Sequence, residues 1–135
     1  MATLLQVNGL KTYFFTLEGV LKAVDGITYD IEEGETLGLV GESGCGKSPL
    51  VRTILGLYAP SEGQVVFEGR DLNSLNSREM QSYRSQVGYV QQDPYGALAP
   101  FMNVHRILEE PLVINKFGDN IFIAHKIVYR RIRYS

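Results

Sequence analysis

A short glycine-rich motif constrains this chain more than any other feature of its sequence. Residues 41–48 read Gly-Glu-Ser-Gly-Cys-Gly-Lys-Ser, which satisfies the pattern G-x-x-x-x-G-K-[ST]. An apolar run at 35–40 precedes the motif, and Leu50, Ile54 and Leu57 follow it at helical spacing. A buried strand, a glycine loop and a helix in succession form a phosphate-binding site, because the helix directs its N-terminal amides at the anion. A glycine-rich turn without a ligand is the alternative.

Each position of this phosphate loop (residues 41–48) has a predicted chemical role. The glycines allow backbone N–H groups to surround phosphate oxygens, Lys47 neutralises the β and γ phosphates, and the Ser48 hydroxyl holds Mg²⁺. Cys45 occupies a variable position, either as a reactive thiol or as a small space-filling residue. The residues expected to bind the nucleotide are Gly41, Ser43, Gly44, Cys45, Gly46, Lys47, Ser48 and Pro49.

Pro49 directly follows the motif and is unexpected in such a loop. Proline has no N–H to donate to a phosphate, and it disfavours a helical conformation for the residue before it, here Ser48. In the first turn of a helix, however, the missing N–H has no helical partner. We therefore expect Pro49 to weaken ligand binding more than folding, and to displace Ser48 from its position as a metal ligand.

Composition limits the class of protein. The 135 residues are 44% hydrophobic and 21% charged, which fits one modest globular domain. The net charge of −2 gives no electrostatic reason to expect nucleic acid as a partner. The single cysteine excludes an internal disulfide. No apolar stretch approaches the roughly 20 residues that span a bilayer, and the N-terminus does not resemble a secretory signal, so a cytoplasmic protein is expected.

Periodicity predicts alternating strands and helices along the chain. Strands are predicted at 3–7, 27–31, 35–40, 64–68 and 87–90. In the second of these, Ile27, Tyr29 and Ile31 are expected on one face and Thr28 and Asp30 on the other. Helices are predicted from the phosphate loop to about Leu57, from a cap at Asn76 or Ser77 to Arg84, and from Val104 to a stop at Pro111. Residues 91–100 are predicted to form a loop.

Several stretches together resemble the ATP-binding subunit of ABC transporters, most closely that of the oligopeptide and dipeptide importers. The resemblance rests on Gly9–Phe14, Ala23–Gly26, Gly34–Ser48 and Gln92–Tyr95. It implies an α/β fold, the P-loop NTPase core of an ABC nucleotide-binding domain, truncated and with an N-terminal antiparallel β portion. It divides the chain into residues 1–112, the N-terminal part of that domain, and a divergent tail at 113–135.

The resemblance also implies two companions for the phosphate loop. Tyr13 matches the aromatic residue on which the adenine ring stacks, although Phe14 and Phe15 are neighbours that could shift the register, and a core tyrosine is the alternative. Gln92 matches the glutamine that contacts Mg²⁺ and the attacking water, with Gln91 as the adjacent alternative and a polar surface residue as the simpler one. ATP and Mg²⁺ are the implied ligands, and Lys47 and Gln92 the implied catalytic residues.

Other elements of this family are missing from the printed sequence. It contains neither a Leu-Ser-Gly-Gly-Gln signature nor an apolar strand ending in Asp-Glu, which supplies the general base, and neither His105 nor His125 matches the family's catalytic histidine. We therefore expect little or no hydrolysis from this chain alone, which leaves a non-catalytic nucleotide-binding module as the alternative function. The resemblance implies transporter membrane subunits and a second ATP-binding subunit as partners, at the inner face of the cell membrane.

Overall fold

A long antiparallel hairpin begins the computed structural model, which describes residues 2–115. β1 (Thr3–Thr16) pairs with β2 (Gly19–Glu32) on one side and with β3 (Glu62–Phe67) on the other, and β4 (Arg70–Asp71) pairs with β3. The strand order is β2-β1-β3-β4, and every pairing is antiparallel. The antiparallel β portion that the resemblance implied is therefore present.

The predicted alternation in β2 is confirmed. The side chains expected on the core face are half-buried, and those expected on the other face are exposed. Successive residues of a strand point to opposite faces, so the apolar residues of β2 face the core as the pattern indicated. The half-buried set is Ile27, Tyr29 and Ile31, and the exposed set is Thr28 and Asp30.

Helices cover the apolar side of this sheet. α1 (Lys47–Ile54) follows the phosphate loop, a 3₁₀ turn spans Leu72–Ser74, and α2 (Ser77–Gln86) follows that turn. α1 ends at Ile54 rather than near Leu57, because Gly56 takes a left-handed φ of 67° just beyond it. One buried apolar cluster joins these elements: Val7, Leu10, Val24, Leu50, Val65, Leu72 and Tyr83.

The start of α2 resolves the choice between two predicted caps. Asn76 is the N-cap, and its side chain accepts hydrogen bonds from the backbone N–H groups of Arg78 and Glu79. Glu79 in turn accepts from the N–H of Asn76, which completes a capping box. The buried Tyr83 lies on the inner face of α2 and packs edge-on against Phe67 at a centroid distance of 5.0 Å.

Two predicted strands are not strands in the structure. The apolar run at 35–40 and residues 87–90 have no regular secondary structure, and Val40 and Val90 are 95% and 91% exposed. A strand needs a neighbour that pairs with its N–H and C=O groups, and the sheet of residues 2–115 contains no pairing partner for either segment. An apolar segment is therefore not enough to predict a strand, because strand formation also depends on a pairing partner elsewhere in the chain.

The chain divides into two units, with the boundary between Val87 and Gly88. In the second unit, α3 (Pro94–Ala97) interrupts the predicted loop, and α4 (Val104–Ile114) continues through Pro111, so the predicted stop there is wrong. The last turn still closes, because the Asn115 N–H donates to the Pro111 carbonyl over 3.1 Å. The predicted boundary between 112 and 113 falls within α4, and most of the predicted tail lies outside the described residues, so that division stays a prediction.

Candidate nucleotide-binding site

Two glycines of the phosphate loop adopt backbone conformations that other residues avoid. Gly44 has a φ of 80° and Gly46 a φ of 99°, both in the left-handed region. Gly46 is also packed closely, since a Cβ built on it would lie 2.1 Å from the Ala23 carbonyl oxygen of β2. A Cβ built on Gly41 would lie 2.4 Å from the Cys45 sulfur. A side chain therefore does not fit at Gly46, which meets backbone, whereas the contact at Gly41 is with the flexible side chain of Cys45.

Lys47 directs its ammonium group into the loop. It donates hydrogen bonds to the carbonyl oxygens of Gly41 over 2.6 Å and Glu42 over 2.8 Å, and it lies 3.4 Å from the Cys45 sulfur. The side chain is half-buried, whereas Cys45 is exposed. The loop thus holds one positive charge at its centre, bonded to carbonyl oxygens that a phosphate oxygen could replace.

The N-terminus of α1 also favours an anion. Its N-cap is Gly46, which offers no side-chain hydrogen bond to the first turn, and the first turn contains no acidic residue. The positive end of the helix dipole therefore faces the loop without a carboxylate that would compete with a phosphate. Ser48 is exposed at the second helical position, where its hydroxyl is accessible to a metal ion bound with the phosphates.

Pro49 is accommodated in the first turn without disrupting it. The first helical hydrogen bond runs from the Leu50 N–H to the Gly46 carbonyl over 3.0 Å, so the N–H that Pro49 lacks has no helical partner. Ser48 remains within α1, so Pro49 does not remove it from the helix, and the expected displacement of Ser48 as a metal ligand stays a prediction. The closed first turn outweighs the local preference that proline imposes on the preceding residue.

A buried hydroxyl pair attaches α1 to the sheet. The Thr53 hydroxyl donates to the Pro49 carbonyl over 2.9 Å and lies 2.9 Å from the hydroxyl of Thr12 on β1. Because the single proton of Thr53 is used by Pro49, Thr12 must be the donor between the two threonines. Both side chains are 2% exposed. The helix that follows the phosphate loop is thereby fixed to the strand that carries Tyr13.

Tyr13 is held by polar contacts on several sides. Its backbone N–H donates to the Ser61 hydroxyl over 2.9 Å, its own hydroxyl donates to Asp25, and the Lys22 ammonium lies over the ring, 5.3 Å from the centroid. The hydrogen bond to Asp25 is the main cause that raises the pKa of Tyr13 above its usual value. The ring is half-buried, so part of it remains available for stacking.

The neighbouring aromatic residues are placed differently. Phe14 packs edge-on against Tyr58 at a centroid distance of 5.4 Å, and Phe15 is 78% exposed. Tyr13 pairs across the hairpin with Lys22, and the next residue, Ala23, is the one that contacts Gly46 of the phosphate loop. The hairpin therefore brings Tyr13 to the side of the loop. Sequence reasoning missed Lys22, which pairs with Tyr13 across the hairpin, and Asp25, which pairs with Lys11.

Gln92 belongs to the second unit, where its side chain is exposed. Asp93 caps α3 by accepting from the Tyr95 N–H over 3.1 Å, which explains why Asp precedes Pro-Tyr here. His105 pairs with Glu109 one turn later on α4, at 3.0 Å, as expected of an ordinary polar residue, whereas His125 lies outside the described residues. The roles of Gln92 and Ser48 as metal ligands stay predictions.

Two negative findings concern residues 2–115. Within that range no three His, Cys, Asp or Glu side chains come together as a metal-binding group. None of the helices there combines the length and the apolar character that crossing a membrane requires.

Comparison with known proteins agrees with this geometry. The ABC transporter family profile matches residues 24–128. The chain is 44% identical over 124 residues to the putative oligopeptide transport ATP-binding protein YkfD of Bacillus subtilis, and 45% identical over 116 residues to the oligopeptide transport ATP-binding protein OppF of the same organism. These alignments cover 91% and 85% of this chain but 36% and 38% of the relatives. The chain thus spans little more than a third of their length.

Solved structures give the same assignment. The dimeric ABC transporter cassette MJ0796 has a TM-score of 0.79 at 26% identity, over 90% of this chain and 53% of that one. The protein cbiO1 from Clostridium perfringens, part of the ABC transporter complex cbiONQ, shares the fold with a TM-score of 0.75 at 24% identity, over 98% of this chain and 50% of that one. The family match over most of the sequence and the cassette-like fold together show that this chain belongs to the ABC transporter family.

Proposed function

We propose that this chain is part of the ATP-binding subunit of a peptide-importing ABC transporter, and that its phosphate loop binds Mg²⁺-ATP. The observation that carries this proposal is the Lys47 ammonium, which donates to the Gly41 and Glu42 carbonyls of a loop where Gly46 leaves no room for a side chain. The names of YkfD and OppF, both oligopeptide transport ATP-binding proteins, support the substrate class.

The residues of the loop fit a bound triphosphate. Lys47 can exchange its two carbonyl hydrogen bonds for phosphate oxygens, which are stronger acceptors because they are charged. The loop backbone and the N-terminus of α1 supply further donors and a favourable dipole. Ser48 would hold the Mg²⁺, which neutralises charge on the phosphates when it is bound. Tyr13 would provide the surface on which the base stacks.

The proposal includes partners that this chain would require for transport. A second ATP-binding subunit and the membrane subunits of the transporter are expected, with the chain on the cytoplasmic face of the membrane. The structure of the ABC transporter cassette MJ0796 is dimeric, which supports a paired arrangement of ATP-binding domains. The printed sequence contains no Leu-Ser-Gly-Gly-Gln and no apolar run ending in Asp-Glu, and this favours nucleotide binding without turnover for the chain by itself.

Calorimetric titration of the purified chain with Mg²⁺-ATP tests the proposal. We expect saturable binding that Lys47→Ala weakens by about ten- to hundredfold, since a hydrogen bond to a charged group contributes roughly 1.5–3 kcal/mol. Arg78→Ala, which removes an exposed cation from α2, is the matched control and should bind as the wild type does. Equal affinity of the wild type and Lys47→Ala would refute the site.

The same samples distinguish the alternatives. Phosphate release should stay at background, and turnover that disappears in Lys47→Ala would contradict the expected lack of hydrolysis. Titration with Mg²⁺-GTP separates an ATP site from that of a P-loop GTPase, because a GTPase would discriminate strongly in favour of guanine.

A further inference from the structure

One carboxylate in the first unit contacts two groups that surround the Tyr13 ring. The Oδ1 atom of Asp25 accepts the hydrogen bond from the Tyr13 hydroxyl, and its Oδ2 atom lies 3.9 Å from the Lys22 ammonium. Lys22 lies over the Tyr13 ring itself, 5.3 Å from the centroid. The three residues therefore form a closed arrangement, in which each contacts the other two.

This arrangement restricts the ring in two ways. The hydrogen bond to Asp25 fixes the far end of the Tyr13 side chain, while the backbone N–H is fixed by Ser61 at the near end. A cation over one face of an aromatic ring is attracted to its π electrons, so Lys22 occupies that face. While Lys22 stays there, that face is closed to a flat ligand, which leaves the other face for stacking. An aromatic surface that is already oriented loses less entropy when a ligand stacks on it.

The group of Tyr13, Lys22 and Asp25 lies near the phosphate loop. Asp25 and Lys22 lie on β2 on either side of Ala23 and Val24, and the Ala23 carbonyl is the atom that a side chain on Gly46 would strike. A ligand whose phosphates lie in the loop can therefore present its base to the same end of the hairpin. The hydrogen bonds of the Lys47 ammonium go to Gly41, Glu42 and Cys45, and none of them goes to Tyr13, Lys22 or Asp25.

We propose that Asp25 is a positioning residue for the nucleotide base: through Tyr13 and Lys22, it orients the Tyr13 ring so that a single face receives the base. This inference rests on the proposed ATP-binding function and extends it to a residue that contacts neither phosphate nor metal. Asp25 contributes to base recognition and leaves phosphate binding unaffected.

Two probes separate these contributions, Mg²⁺-ATP and Mg²⁺-tripolyphosphate, each titrated into the full chain. Asp25→Ala should weaken ATP binding about three- to tenfold, part of the full contribution of a stacked base, and leave tripolyphosphate binding within about twofold. Asp25→Asn retains an oxygen that accepts from the Tyr13 hydroxyl and should recover most of the ATP affinity. Asp30→Ala, an exposed carboxylate on the same strand, is the control and should change neither affinity.

A second variant keeps the test valid if Asp25→Ala folds poorly. Tyr13→Phe keeps the ring and removes only the hydroxyl, so it should weaken ATP binding, by no more than Asp25→Ala, which also removes the contact with Lys22. The double variant should lose no more than Asp25→Ala alone, because the hydrogen bond that Tyr13→Phe removes is already absent there. A purely structural role for Asp25 would not produce this coupling.

Three results with the variants would overturn the inference. ATP affinity unchanged in Asp25→Ala would do so, as would an equal loss of ATP and tripolyphosphate binding, or strictly additive losses in the double variant. Wild-type binding of tripolyphosphate without any preference for ATP would refute the inference and leave the phosphate loop intact. Wild-type binding of neither probe would refute the proposed function as well.

Discussion

Two apolar segments of this chain illustrate different ways in which hydrophobic residues are used. β1 has Leu10 and Val7 fully buried between neighbouring strands and helices, whereas the exposed run at 35–40 leaves Leu39 and Val40 46% and 95% exposed. Both segments are rich in apolar residues. The difference lies in their neighbours, since β1 is paired on both edges and the exposed run is paired on neither.

This difference explains what each segment does. The packed region, which consists of β1, β2, β3, α1 and α2, derives its order from contacts within residues 2–87. The exposed run and the phosphate loop after it are held mainly by the junction of Gly46 with β2 and by the first turn of α1. Residues 41–45 of the loop are exposed and contribute little to the core, while the Lys47 ammonium points into the loop.

The largest expected effect comes from truncating one leucine in each segment. Leu10→Ala should lower the free energy of unfolding by about 2–5 kcal/mol, because it leaves a cavity in a fully buried site. Leu39→Ala should change it by about 0.5 kcal/mol or less, as an exposed substitution does. Urea unfolding followed by circular dichroism measures both. A cost at Leu39 equal to that at Leu10 would mean that the exposed run is packed in solution.

The next effect concerns ligand binding at the junction of the two regions. Pro49→Thr restores an N–H and adds a hydroxyl at the start of α1, so it should tighten Mg²⁺-ATP binding by about ten- to hundredfold, or roughly 1.5–3 kcal/mol. The unfolding free energy should hardly change, because the missing N–H has no partner in the helix. Calorimetry gives the affinity. Pro60→Thr, outside the loop, is the control, and unchanged affinity in Pro49→Thr would contradict the prediction.

The smallest effect is a dependence of stability on alkaline pH that belongs to the packed region. Burial raises the pKa of Tyr83 to about 12, and its hydroxyl donates to the Ile54 carbonyl over 2.6 Å. The unfolded chain releases the tyrosine proton near pH 10, so this stability is complete below pH 10 and declines as the pH rises to 12. With allowance for solvent screening, the loss is about 1–2 kcal/mol.

Unfolding curves at pH 9 to 12 would measure that decline. Tyr83→Phe should be less stable near neutral pH, because it loses one hydrogen bond, and its stability should fall less between pH 10 and 12 than that of the wild type. Tyr95→Phe, at a position that is 92% exposed, should keep the wild-type slope. Identical slopes in Tyr83→Phe and the wild type would show that Tyr83 does not cause the effect.

Local sequence patterns predicted the elements whose determinants are local. Parts of the hairpin strands (3–7 and 27–31), the strand predicted at 64–68 and a cap at Asn76 or Ser77 followed from alternation and capping chemistry, which act over a few residues. The strands at 35–40 and 87–90 and the stop at Pro111 were wrong. Pairing depends on distant segments, and α4 tolerates the proline because its turns close on either side.

The candidate site divides in the same way. The spacing of the motif was enough to identify Lys47 and the glycines, because the loop is a contiguous segment whose backbone geometry requires those residue types. The roles predicted for Tyr13 and Gln92 depended on the resemblance to ABC transporters, and they stay predictions. Asp25 and Lys22 were missed, because their relation to Tyr13 arises across the hairpin register and their sequence context alone assigns them no chemistry.

The sequence by itself determined the phosphate loop, the presence of Pro49 and the family to which the chain belongs, because each is written in contiguous residues. Tertiary structure alone decided that Pro49 leaves Ser48 in the helix, that Gly46 must remain glycine beside Ala23, and that Asp25 and Lys22 surround the ring of Tyr13. These outcomes depend on which segments the fold brings within a few ångströms of each other, and no window along the chain contains that information.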